Sequence, residues 1–180
     1  ANLHRDVKAG DTLLLADGQI VLDVAAVEGP RVVTVVRHGG ELSNRKGLNR
    51  QGGGISAPAL SDKDRDDIRF AAANELDYVA VSFARDAADI REARVRLRES
   101  GGQGHIVAKI ERHESVDNLP SILDETDVVM VARGDLGVEM GYAEVTGLQK
   151  TILHQARNKF RVAITATQMM ESMIQNAVPT

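Results

Sequence analysis

Four short and almost uninterrupted apolar runs, residues 78–83, 105–110, 128–132 and 162–166, alternate with helix-length amphipathic stretches over the second part of the chain. A strand that reads as a continuous apolar run is covered on both faces, and a helix between two such runs lets them lie side by side in parallel. The intervening stretches have the required pattern: Ile90, Ala93 and Leu97 share one helix face, and Val145, Leu148, Ile152 and Ala156 share another. The class is therefore α/β, with about four βα units. Two architectures accommodate them: half of a closed eight-stranded barrel, which needs about 250 residues when complete, or a small open doubly wound sheet. Both place chemistry at the carboxyl ends of the strands, so those ends hold the candidate residues.

The first part of the chain follows a different pattern. Leu13, Leu14 and Leu15 precede Asp17-Gly18, a β-branched run covers residues 20–27, Glu28-Gly29-Pro30 follows, and residues 32–36 form another valine-rich run. Tight-turn dipeptides between such runs predict short antiparallel strands. Residues 39–58 are polar with many glycines and read as loop, which puts a boundary near Ala57: residues 1–57 form a small β unit and 58–180 the α/β unit. Ser61-Asp62-Lys63-Asp64 is a capping-box start for a helix just past that boundary.

Composition narrows the function classes. With 22 basic against 26 acidic residues, a net charge of -4 and 3% aromatics, the chain has neither the basic footprint nor the stacking rings of a nucleic-acid binder. It holds no cysteine, which removes disulfides, thiolate metal sites and a cysteine nucleophile together. No apolar run approaches the roughly 20 residues that cross a bilayer, and the first ten residues have no secretory apolar stretch. A cytoplasmic protein with no membrane partner is the expectation.

At the end of the second run, Lys109 and Glu111 fall on one face of a strand and Ile110 on the other. The third run ends in Arg133-Gly134-Asp135, and the fourth in Thr165-Ala166-Thr167, with both hydroxyls expected on one face. Two carboxylates from neighbouring strands, with no histidine or cysteine beside them, make a hard oxygen site suited to Mg²⁺ or Mn²⁺. Lysine, arginine and threonine beside such a site suit an anionic substrate, and backbone N–H groups around Gly134 could face a carboxylate or phosphate if a helical turn begins there. Together they point to phosphoryl transfer or enolate chemistry. A plainer reading stands beside each residue: Lys109 with Glu111 as a structural ion pair, Arg133 with Asp135 paired across the turn, and the threonines as ordinary strand residues.

Other motifs fail on context. Gly52-Gly53-Gly54-Ile55-Ser56-Ala57 fits a dinucleotide-binding pattern, but Pro58 follows and no strand leads straight into it. Arg133-Gly134-Asp135 also spells an adhesion tripeptide, yet it sits directly after an apolar strand in a chain without export features. The five histidines include no pair at helical spacing for zinc, and Arg91, Arg94 and Arg98 read as the solvated face of a helix.

Three segments, Ala108-Lys109-Ile110-Glu111, Met130-Val131-Ala132-Arg133-Gly134-Asp135-Leu136-Gly137 and Ile164-Thr165-Ala166-Thr167-Gln168-Met169, resemble the signature segments of the pyruvate kinase family. Met170 to Ile174 with Pro179-Thr180, the stretches 42–49 and 59–64, and Val81-Ser82-Phe83 extend the resemblance along the whole chain, and Gly52-Gly53-Gly54 is similar to the bacterial type II branch. One departure is Ala16-Asp17-Gly18, where the family usually has Asp-Asp-Gly.

The resemblance implies a (β/α)₈ catalytic barrel with a small β cap, transferring phosphate from phosphoenolpyruvate to ADP in glycolysis. Residues 1–57 are then the later part of the cap and residues 58–180 about half of the barrel. It further implies that Glu111 and Asp135 hold Mg²⁺ or Mn²⁺, and that Lys109 neutralises the transferring phosphoryl group. By the same motif matching, the Gly134 and Asp135 amides and the Thr167 hydroxyl hold the substrate carboxylate, Lys46 approaches the nucleotide (ADP or ATP), and Arg133 belongs to the catalytic set. K⁺ dependence is implied, with its ligands outside these residues, as is a homo-oligomeric parent. The chain then looks like an internal segment, expected to be inactive and to self-associate in isolation. Two other readings remain: a metal-dependent lyase or aldolase of the phosphoenolpyruvate and pyruvate barrel group, and a non-catalytic binding or assembly piece.

Overall fold

The computed structural model describes residues 2–44, 46–56, 58–167, 169 and 171–175. The expected boundary residue Ala57, and Gln168, Met170, Pro179 and Thr180 of the C-terminal motif, lie outside the described residues.

A short helix α1 (Leu3–Asp6) leads into three strands, β1 (Thr12–Leu15), β2 (Ile20–Glu28) and β3 (Arg31–His38), joined by the expected Asp17-Gly18 and Gly29-Pro30 turns. A further strand, β4 (Leu48–Arg50), lies in the stretch expected to be loop and pairs antiparallel with β1 through Leu13–Arg50 and Leu15–Leu48. Only three residues long, it leaves too little alternation to register against the surrounding glycines and charges. The sheet runs in the order β3-β2-β1-β4, and a small core of Val7, Leu13 and Val24 sits under it.

Helix α2 (Asp62–Ala73) opens the second part on the expected capping box, with the Ser61 and Asp64 side chains each bonding the other's backbone. There follow β5 (Tyr78–Val81), α3 (Ala87–Glu99), β6 (His105–Ile110), α4 (His113–Asp117), α5 (Leu119–Glu125), β7 (Val128–Ala132), α6 (Arg133–Met140), α7 (Tyr142–Asn158), β8 (Val162–Ala166) and a 3₁₀ turn, Glu171–Ile174. The four strands are parallel and lie in chain order, β5-β6-β7-β8, without the reversal that marks a doubly wound sheet. Ile106, Ile110, Val129 and Val131 from the sheet and Ile90, Leu97, Ile122, Leu136 and Ile152 from the helices form one buried core. Burial of each such side chain stabilises by about 1.5–3 kcal/mol.

Each parallel strand is therefore held with its carboxyl end at the same side of the molecule. The outer strands keep apolar side chains exposed: Tyr78 on β5, and Val162, at 65% exposure, on β8. One expectation is corrected at the opposite side. Arg91 and Arg98 are exposed as expected, but Arg94 is half-buried, bonding the Glu125 carbonyl at 2.7 Å and the Asp127 carboxylate at 2.9 Å, and Arg98 also reaches the Gly102 and Gly104 carbonyls. Their aliphatic stems let guanidinium groups fold back onto the neighbouring loops. Among the described residues no helix is long and apolar enough to cross a membrane.

Candidate active site at the carboxyl ends of the strands

Strand pairing puts Lys109 beside Met130 and Ile110 beside Val131, so the residues that follow β6 and β7 emerge next to each other. Ile110 turns into the core, and Lys109 and Glu111 share the other face, as strand alternation requires. The Lys109 Nζ lies 2.9 Å from Glu111 Oε2 and donates to Ser82 Oγ, also at 2.9 Å. Glu111 is fully buried at 0% exposure, whereas the Lys109 side chain keeps 24%.

Phe83, just past β5, has a left-handed backbone with φ of 56°, and its N–H donates to Glu111 Oε1 at 2.6 Å. The other oxygen, Oε2, makes no hydrogen bond with good geometry despite its closeness to the ammonium. Among the described residues the Lys109 ammonium is thus the one cation against this fully buried carboxylate. Burial pushes the Glu111 carboxyl above the usual carboxylate range, the Lys109 charge and the hydrogen bonds oppose that, and Asp135 adds to it.

Asp135 lies in the first turn of α6, and no side chain caps the N-terminus of that helix. Its carboxyl is likewise raised, first by burial and then by Asp17, against the pull of Lys109. One ammonium thus serves two carboxylates, which is less positive charge than the pair would accept. Gly134 is the second residue of the same helix, so a helical turn does begin at the expected place and leaves its first N–H groups uncapped. Further along α6, Gly137 permits close packing: a Cβ there would come within 2.5 Å of the Tyr142 ring.

On β8 the strand ends at Ala166, and Thr167 takes a left-handed conformation with φ of 59°. Strand alternation therefore does not extend to Thr167, and the turn sets its position instead of the pattern that would align it with Thr165. Arg133 donates to the Thr167 carbonyl from Nε at 2.9 Å and from Nη2, and to Gln149 Oε1 from Nη1 at 3.0 Å. It ties the end of β7 to the end of β8.

The small sheet reaches the same side of the molecule. Its Ala16–Gly18 turn comes close to α6, with the Gly18 Cβ direction 4.0 Å from the Val138 side chain, and the Asp17 charge is felt by both Asp135 and Tyr142. Ala16, at the departure from the family's usual turn, is buried in a left-handed conformation. Lys46 is exposed in the loop ahead of β4 and joins no hydrogen bond or ion pair with the strand-end cluster among the described residues.

The structure thus brings together Lys109, Glu111 and Asp135 and ties Arg133 to Thr167, while Lys46 stands beside Gly47, whose carbonyl accepts the Ala16 N–H. Sequence reasoning missed the part played by Ser82 and Phe83. Both stand at the end of β5 in a segment that carries the family resemblance, but a hydroxyl and a backbone N–H carry no charge pattern that would give them a role. It also missed Arg112, which is buried and donates to the Ile55 carbonyl and the Glu114 carboxylate. Among the described residues there is no group of three or more histidine, cysteine, aspartate or glutamate side chains placed to hold a metal.

A family model for the barrel domain of pyruvate kinase matches residues 1–180. Pyruvate kinase II of Salmonella typhimurium is 52% identical over 181 residues, covering 99% of this chain and 38% of that protein. Pyruvate kinase of Haemophilus influenzae is 50% identical over the same shares, and that of Mycobacterium tuberculosis 44% identical over 178 residues, covering 99% of this chain and 38% of its own length. The chain thus spans 38% of the length of these relatives. All three of these relatives are named pyruvate kinases, and none a lyase or aldolase.

Proposed function

The chain belongs to the pyruvate kinase family, and on that premise we propose that it supplies part of the site where the whole protein transfers a phosphoryl group from phosphoenolpyruvate to ADP. The observation that carries this reading is the buried Glu111 carboxylate, which shares the Lys109 ammonium with Asp135 at adjacent strand ends.

In this reading the four parallel strands are a segment of a (β/α)₈ barrel. Their consecutive order and the exposed apolar side chains on β5 and β8 support a sheet that continues on both sides. Residues 1–57 are part of a β cap over the carboxyl ends, supported by the approach of the Ala16–Gly18 turn to α6. The protein is cytoplasmic and homo-oligomeric.

The carboxylates suit a hard divalent cation: both are oxygen donors, burial holds both above the usual range, and they share a single ammonium. Glu111 and Asp135 would hold Mg²⁺ or Mn²⁺, and the bound ion would supply positive charge to the oxygens of the transferring group. K⁺ would act through ligands outside these residues. The Lys109 ammonium, steadied by Ser82, adds a fixed positive charge where the phosphoryl oxygens gather negative charge in the transition state. The uncapped N–H groups of Gly134 and Asp135 donate to the substrate carboxylate, joined by the Thr167 hydroxyl. Arg133 holds the Thr167 carbonyl and so fixes that hydroxyl's backbone. Lys46 meets the nucleotide phosphates from the cap. As the P–O bond to the enol oxygen breaks, a new one forms to a terminal ADP oxygen, and the released enolate takes up a proton to give pyruvate.

Pyruvate formation by the whole protein tests this directly. Turnover should require phosphoenolpyruvate, ADP and a divalent cation together. Pyruvate released without ADP, or at an undiminished rate in excess chelator, would overturn the reading.

A further inference from the structure

One buried acid takes no part in the transfer just described. Glu139 lies one turn of α6 beyond Asp135 and is only 5% exposed. Its Oε2 accepts the His113 N–H at 2.9 Å, its Oε1 accepts from Asn49 Nδ2 at 3.3 Å, and its backbone carbonyl accepts the Gly52 N–H at 3.3 Å. His113 stands two residues after Glu111, and Asn49 belongs to β4 of the small sheet.

One carboxylate therefore closes a ring. From Glu111 the chain runs through Arg112 to His113, across a hydrogen bond to Glu139, and back along α6 to Asp135. The Asn49 and Gly52 contacts hang the small sheet on the same point. An acid this buried carries a desolvation cost that an apolar residue of similar size would avoid. Burial does push the Glu139 carboxyl above the usual range, with the two hydrogen bonds and Arg112 opposing it and Glu114 adding to it. Packing alone gives no reason for an acid here, whereas orientation of two other carboxylates does.

We propose that Glu139 is a positioning residue for the metal site: by holding the His113 N–H and the Asn49 amide at once, it sets how the Glu111 and Asp135 carboxylates face each other and fixes the cap to the helix that carries Asp135. The inference rests on the reading that those two carboxylates hold the divalent cation. Removing a group that orients a metal-binding side chain typically weakens metal binding about 10–100-fold.

The test is Mn²⁺ binding to the whole protein without substrates, followed by the electron paramagnetic resonance signal of the free ion, with a thermal melt of each variant. Glu139→Ala should bind Mn²⁺ about 10–100-fold more weakly. Glu139→Gln keeps a carbonyl oxygen for the His113 N–H and should recover most of that loss. Glu139→Asp shortens the reach by one methylene so that both partners cannot be held, and should bind about 10-fold more weakly even where the alanine variant does not fold. Wild-type affinity in the Asp and Ala variants, or an affinity that falls only in step with the melting temperature, would overturn the proposal. Glu111→Gln and Asp135→Asn separate the two ideas. If they lose Mn²⁺ and the Glu139 variants keep it, only the role of Glu139 fails, and if they keep it, the metal-site reading fails with it.

Discussion

Asp127 at the amino end of the parallel sheet and the pair Glu111 and Asp135 at its carboxyl end are held in opposite ways. At the amino end, Asp127 accepts the Ile106 N–H at 2.8 Å and pairs with Arg94 at 2.9 Å, and these partners outweigh burial to hold its carboxyl below the usual range. Beside it the buried Thr126 hydroxyl accepts the Ala108 N–H and donates towards the Ile106 and Val128 carbonyls. At the carboxyl end, Glu111 and Asp135 are raised by burial. Asp127 and Thr126 are satisfied and serve stability, as Asp89 and Glu114 are at the carboxyl end, whereas Glu111 and Asp135 share one ammonium between them and are available for a ligand.

The sharpest way to break that contrast is Lys109→Met in the whole protein. Loss of a fixed charge aimed at the transition state should lower kcat by about 10²–10³ while KM changes little. A rise in KM with kcat preserved would make Lys109 a binding group instead.

Metal affinity should depend on pH in a direction set by the raised carboxyls. A proton competes with the cation for the same oxygens, so Mn²⁺ binding should weaken as pH falls, starting above the usual carboxylate range, by up to about tenfold per pH unit for each proton displaced. Titrations at a series of pH values check this, and an affinity flat through that window would mean that neither carboxylate meets the metal.

Thr126→Val should do the reverse of Lys109→Met. It removes the hydrogen bonds of a buried hydroxyl, a loss of about 1–3 kcal/mol in denaturant unfolding, with Mn²⁺ affinity unchanged.

A smaller effect separates the ends by acid stability. Asp127, with its depressed carboxyl, contributes stability that is present above the usual range and lost as pH falls through its lowered value. Metal-free Glu111, with its raised carboxyl, contributes in the opposite sense: its favourable share is present below the usual range and lost as pH rises through its raised value. Melting curves against pH should therefore show a shallower acid limb for Asp127→Asn than for wild type. An unchanged limb would mean that Asp127 is as well solvated in the folded state as in the unfolded one.

Much of the fold is legible in the amino-acid sequence. The four parallel strands, their helices and the Ser61 cap follow from apolar periodicity and capping chemistry, which are local along the chain. Strand alternation places Lys109 and Glu111, and a glycine-containing turn after a buried run places Asp135. Periodicity does not decide between barrel and doubly wound sheet, because strand order depends on long-range pairing. Strand β4 is hidden by its length, Thr167 by a left-handed turn that ends the alternation, and Glu139 because its partners come from residues 49, 52 and 113. What escapes is nonlocal in each case, or carried by backbone groups.

The most direct test of the divided sheet is Mn²⁺ titration of Glu111→Gln and Asp127→Asn versions of the whole protein, side by side. The account predicts that Glu111→Gln loses Mn²⁺ affinity by about 100-fold or more, beyond what the removal of an orienting partner costs, while Asp127→Asn binds as wild type does. Equal affinities in the two variants, or a loss confined to Asp127→Asn, would contradict it.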